Sequence, residues 1–149
     1  MELKLIRTSH RSEAIDGILK VDGEHLCDTA ENAITSLPEG KYRIIRVFCK
    51  QYNRYVPKIM LPHETENSLR YLCATCHKQK CVSNNTTLKC VCHQIKMGNG
   101  IHHRADGSIL LGTAIIPSCL KHTREPYENL SERIRKVSGR GNEVTLIIV

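Results

Sequence analysis

Five of the chain's eight cysteines fall in one short segment, as Cys73-Ala-Thr-Cys76-His77, Cys81 and Cys90-Val-Cys92. A C-x-x-C pair followed by a C-x-C pair can bring four soft thiolates to one point, the donor set that tetrahedral Zn²⁺ takes. The preferred ligands are Cys73, Cys76, Cys90 and Cys92. The first pair has the usual knuckle spacing, and the second is tighter than the common one. Cys81 is an alternative to Cys90, and His77 or His93 could enter a mixed site. A closed set of four would make the zinc structural, because no open position is left to activate water. Its binding free energy would then be folding free energy for the segment. The competing reading is reduced, unliganded cysteines in a loop, with disulfides expected only outside the cytoplasm. Cys27 and Cys49 lie on expected strands and read as small core residues.

Charge is distributed unevenly around this segment. Residues 1–39 hold four basic and eight acidic side chains, whereas residues 40–105 hold twelve basic groups against Glu64 and Glu66 alone. The cysteines therefore sit in the basic part of the chain, and a positive field favours thiolate over thiol. The same charge could serve nucleic acid. The basic residues are scattered, however, and aromatics make up 4% of the chain, which leaves few rings for stacking on bases.

The elements that must carry these residues are mostly strands. A chain of 149 residues is long enough for one domain that buries roughly 70% of its unfolded surface. With five tyrosines, one phenylalanine and no tryptophan, its core must be Ile, Leu and Val, which favours β-structure. Leu3 to Thr8 reads as a first strand, and Asp22-Gly23 between two apolar runs predicts a tight hairpin. Leu37-Pro38-Glu39-Gly40 is a turn into a strand over residues 41–50, with a bulge expected at Ile44-Ile45. A further strand is expected from Tyr55 to Leu61, with Pro57 pointing to an edge or a strand start. Residues 62–100 lack periodicity and read as a Cys-rich insertion or subdomain. Gly107 to Gly112 brackets a short apolar strand.

Tyr127, Leu130, Ile134 and Val137 recur at helical spacing, with Thr123 as N-cap and Gly139 or Gly141 as terminator. Asn142 to Val149 closes the chain as a central strand. The expected fold is thus α+β: a single mostly-β domain over residues 1–149 with hairpins, one C-terminal amphipathic helix and a terminal strand. No stretch approaches a membrane span and the N-terminus has no signal-like apolar run, so a soluble cytoplasmic protein is expected.

Several short motifs together resemble a small domain-of-unknown-function family of phages, prophages and gut-bacterial mobile elements. They are Leu3-Lys-Leu-Ile-Arg-Thr8, Leu26-Cys-Asp-Thr29 with Glu31-Asn32, Leu37-Pro-Glu-Gly-Lys-Tyr42, Gly98-Asn99, Gly107-Ser-Ile-Leu-Leu-Gly112 and Glu143-Val-Thr-Leu146. The likeness covers both flanks, about residues 1–61 and 96–149, and leaves the cysteine-rich segment as an elaboration. It brings no established activity. Many members carry His-x-Gly-Asn followed by Gly-Cys-Ile, which is similar to the His and Cys nucleophile of L,D-transpeptidases that crosslink peptidoglycan. In this chain those positions are Lys96 and Ser108, and both depart from the pattern.

A serine hydroxyl needs an organised base, which His102 or His103 would have to supply. Cys119, beside Ile115, Ile116 and Leu120, reads as packed and inert. The leading reading is a non-enzymatic accessory or interaction module, with a protein, a cell-wall glycan or nucleic acid as partner and no membrane. The alternatives are a divergent transpeptidase-like enzyme using Ser108, or a zinc-dependent nucleic-acid-binding module.

Overall fold

The Asp22-Gly23 turn organises the first half of the sheet. In the computed structural model, which describes residues 1–49, 53–62, 64, 93–100 and 107–149, both turn residues have positive φ, 48° and 89°. That is the tight hairpin geometry matched to strand twist. It joins β2 (Ala14–Val21) to β3 (Glu24–Asn32), and β1 (Glu2–His10) pairs antiparallel with β2. Leu3, Leu5, Leu19, Val21 and Cys27 are buried in one core, as period-two patterning requires. Gly17 lies at the closest approach of these strands. A Cβ there would sit 2.7 Å from the Ile6 carbonyl oxygen and 2.9 Å from Thr29 Oγ1.

The remaining strands are β4 (Gly40–Cys49), β5 (Arg54–Met60), β6 (Ile95–Met97), β7 (Ile109–Ile116), β8 (Cys119–Lys121) and β9 (Val144–Ile148). They extend one sheet in the order β5-β4-β9-β1-β2-β3-β7-β6, with β8 paired to β7. The terminal strand β9 is central, parallel to β1 and antiparallel to β4. The two ends of the sheet meet, since Lys58 bridges Gln94 and the Ile59 N–H donates to the His93 carbonyl at 2.9 Å. The sheet thereby curls into a nearly closed barrel.

Helix α1 (Arg124–Gly139) buries Tyr127, Leu130 and Ile134, and the last two join the main core. Val137, the fourth residue of the expected apolar stripe, packs partly buried against it. Thr123 occupies the N-cap position but its side chain makes no capping bond, because its own backbone is already helical (φ −79°, ψ −21°). Gly141 ends the helix with φ 76°, its N–H bonding to the Ser138 carbonyl at 3.0 Å. No helix among the described residues is long and apolar enough to cross a membrane.

The mostly-β α+β class and the terminal strand are as expected, and three local expectations are corrected. No bulge occurs at Ile44-Ile45: pairing runs without a shift from Arg43↔Met60 to Cys49↔Arg54. Both isoleucines are buried because β4 is packed on both faces, Ile44 in the main core and Ile45 with Val47, Cys49 and Val56. The end of the 62–100 stretch belongs to the sheet, where Ile95–Met97 forms β6 alongside β7. Strand β7 also runs past Gly112 to Ile116 and turns back into β8.

Candidate functional site

The sequence-derived metal ligands Cys73, Cys76, Cys90 and Cys92, with Cys81 and His77, lie outside the described residues. Among the described residues no cluster of three or more His, Cys, Asp or Glu side chains is placed to hold a metal. Cys27 is buried in the main core and Cys49 in the smaller cluster with Val47 and Val56, as their strand positions suggested. Burial pushes the Cys27 thiol up to about 12, with the nearby Asp28 adding to the effect and a Gly112 backbone bond opposing it. Cys119 is half-exposed, and its neighbours Ile115 and Ile116 are exposed, so the reading of it as packed among them is corrected.

Ser108 is 1% exposed, sealed at the seam where β5, β6 and β7 meet. Gly107 before it has φ 77°, and a Cβ there would lie 2.6 Å from the His93 ring and 2.8 Å from the Thr35 carbonyl oxygen. The His93 Nε2 is itself 3.3 Å from that oxygen. The Ile109 N–H donates to the Gln94 carbonyl at 2.9 Å, and Ile95 pairs with Ile109, which sets Gln94 beside Ser108. Since Lys58 bridges Gln94, the residues Lys58, Gln94 and Ser108 form a row across three strands. Lys96, two residues beyond Gln94, shares that face. Sequence reasoning assigned Ser108 and Lys96 to one motif, and the sheet does bring them to one face. Both are buried there. His102 and His103 lie outside the described residues.

A second buried polar group joins β1 to β3. Arg7 grips Glu31 with Nε and Nη2, both at 2.9 Å, and donates to the Leu37 carbonyl at 2.6 Å. Glu31 is 2% exposed. Burial alone would lower the Arg7 pKa, but the bonds and charge of Glu31 outweigh it and the net shift is upward. Tyr42 closes this end by donating to the Pro38 carbonyl at 2.8 Å. The group is fully engaged with itself, which suits it to fixing the barrel end.

The solvent-facing chemistry lies on the β4–β5 hairpin. Phe48 and Tyr55 pair across the strands with ring centroids 5.4 Å apart at 74°, and they are 38% and 53% exposed. The Arg46 guanidinium stacks on Tyr55, 4.8 Å from the ring centre. These three side chains form a ridge between two clefts. One cleft, about 540 Å³, is completed by Arg43, Asn142 and Glu143, and the other, about 370 Å³, by Arg54, Glu128 and Arg135.

Ion pairs rim the ridge. Arg54 holds Glu128 through two bonds of 2.9 and 3.1 Å and keeps its carboxyl below the usual range, while Arg43 lies 3.6 Å from Glu143. Arg46 alone of these arginines has no carboxylate partner among the described residues. Sequence reasoning missed the ridge. The signal was present in the alternation of Arg46 with Phe48 and in Tyr55 beside Arg54, but their pairing depends on the hairpin register.

Set against known protein-family models, curated proteins and solved structures, the chain matches none.

Proposed function

We propose that this protein is a non-enzymatic binding module whose contact face is the Arg46–Phe48–Tyr55 ridge. The observation that carries this reading is the exposure of two aromatic rings, edge to face, in a chain with five tyrosines and one phenylalanine. Large, stiff aromatic side chains and arginine supply most of the energy at binding surfaces, because they bury much area at little entropic cost. The surrounding ion pairs suit a polar rim. The transpeptidase-like alternative is disfavoured by the burial of Ser108, since a nucleophile must reach its carbonyl carbon. Zinc on Cys73, Cys76, Cys90 and Cys92 belongs to the same proposal as a structural staple of the basic segment.

The test is an array of acidic peptides, basic peptides, single-stranded oligonucleotides and cell-wall oligosaccharides, probed with the intact chain and with Phe48→Ala/Tyr55→Ala. The proposal expects one class to bind and the double variant to bind it at least roughly tenfold more weakly, a loss of about 1.4 kcal/mol. Binding that ignores the double substitution, or no binding to any class, would overturn it.

A further inference from the structure

The larger cleft runs along the edge of a strand. Arg43, Ile44, Ile45, Arg46, Val47 and Phe48 line it consecutively. Alternate residues of a strand point to opposite faces, so an unbroken run of six in one lining means that the cleft follows the backbone. Strand β9 pairs with β4 from Gly40↔Ile148 only as far as Ile44↔Val144. Beyond Ile44, no described strand lies on that side of β4.

The direction of the main-chain groups there follows from the ladder. The Thr145 N–H donates to the Met1 carbonyl and the Val149 N–H to the Leu5 carbonyl, so these groups face β1. Val144, Leu146 and Ile148 must then face β4, where they meet Ile44, Tyr42 and Gly40. The β4–β5 register has no shift. Continuing the alternation, the N–H and C=O groups of Arg46 and Phe48 point to the unpaired edge and into the cleft. These two residues are the exposed or half-exposed ones of the segment, whereas Ile45, Val47 and Cys49 are buried.

We infer that this edge takes up an extended, acidic peptide segment of a partner protein as an added strand, in line with β9 and beside β4. The inference rests on the binding-module reading and names its partner. An edge with aligned donors and acceptors is the template for strand addition, in which main-chain bonds give affinity and side-chain contacts give selectivity. Charge selects the occupant. Strands β4 and β5 carry Lys41, Arg43, Arg46, Arg54 and Lys58 and no acidic residue. Arg43 and Arg54 are matched by Glu143 and Glu128 and Lys58 is buried, so the charge at the open edge is that of Arg46. Edge-to-edge pairing with a second copy would bring two Arg46 side chains together, whereas alternating carboxylates would meet Arg46. Nucleobases would stack on the ridge without using the main-chain groups of the edge.

The experiment uses the intact, ¹⁵N-labelled chain and three capped peptides: one alternating aspartate with valine, the same peptide N-methylated at alternate amides, and one alternating lysine with valine. The aspartate peptide is expected to bind, to slow hydrogen exchange of the Arg46 and Phe48 amides, and to bind Arg46→Glu roughly tenfold more weakly. The N-methylated and lysine peptides are expected to fail. Equal binding of the aspartate and N-methylated peptides, or unchanged exchange at Arg46 and Phe48, would overturn strand addition. Protection of those amides by self-association without peptide would overturn the choice of occupant. If no peptide binds while another class in the array binds through Tyr55, this inference falls and the binding module stands. If nothing binds, both fall.

Discussion

Arg46 and Tyr55 sit diagonally across the β4–β5 pair, with the guanidinium carbon 4.8 Å from the ring centre. The contact holds a cation in place with no carboxylate partner among the described residues. It also stiffens the tyrosine, so a ligand meeting this ridge has less side-chain entropy to remove. Arg43, Arg54 and Arg135 lie close by but are each matched by a glutamate. Among the described residues the ridge therefore has one charge at its centre without a carboxylate partner, flanked by rings.

The Arg7–Glu31 pair is expected to behave as a buried ion pair, costly to break and cheap to replace. Arg7→Ala or Glu31→Ala should lower stability by about 3–5 kcal/mol, because each leaves the other charge unmatched in the barrel end. Arg7→Met combined with Glu31→Leu should recover most of that loss. Urea unfolding of the three variants measures both effects. Equal losses in the single and double variants would show that packing, and not charge, sets the cost.

Two glycines should respond differently to the same substitution. Gly23 has φ 89° with nothing within 4 Å of a built Cβ, so its demand is conformational alone. Gly23→Ala should cost about 1 kcal/mol or more, and Gly23→Asn less, since asparagine tolerates the left-handed region. Gly17 meets backbone at 2.7 Å. Gly17→Ala and Gly17→Asn should both be destabilising by about 1–3 kcal/mol, with no rescue by asparagine. Thermal melting of the four variants makes the comparison.

Thiol reactivity should separate the described cysteines. Cys27 is buried with its pKa raised from 9.0 to about 12, so alkylation of native protein at mild alkaline pH should spare it and label the half-exposed Cys119. The folded state favours the neutral thiol. That contribution is fully present below pH 9, the unfolded value, and is lost as pH rises towards 12. Peptide mapping after a timed iodoacetamide pulse reads the labelling. Unfolding midpoints for Cys27→Ala and the parent protein should differ in their slope with pH only above about pH 9.

Metal content tests the cysteine-rich segment. Protein purified without chelator should carry about one zinc, with four thiols protected from titration until the metal is removed. Serine substitution at Cys73, Cys76, Cys90 or Cys92 should release it. Elemental mass spectrometry finding only traces of zinc would leave the segment without its staple.

The legible parts of the fold were those whose signal is local. Asp22-Gly23 predicts its own hairpin, because few dipeptides take positive φ twice at so little cost, and the Tyr127–Leu130–Ile134 spacing carries its helix. What was hidden depends on partners distant in sequence. Strand β6 spans Ile95–Met97, too short for a period to emerge, and it exists because β7 pairs with it. Ile44-Ile45 looked like a bulge because one-sided burial was assumed, whereas β4 is covered on both faces. Phe48 and Tyr55 fall on two separate expected strands, and only the hairpin register sets them together in solvent. The burial of Ser108 was likewise unreadable, since the Gln94 beside it and the Lys58 bridged to Gln94 are distant from it in sequence.

The most direct test of the central claim is a pair of ¹H–¹⁵N spectra, recorded with and without the best ligand from the array, on the parent protein. The account predicts shift changes concentrated at Arg46, Phe48, Tyr55 and the residues of the two flanking clefts, and their disappearance in Phe48→Ala/Tyr55→Ala. Changes centred instead on Lys58, Gln94, Lys96 and Ser108, and retained in the double variant, would contradict it and return attention to the buried seam.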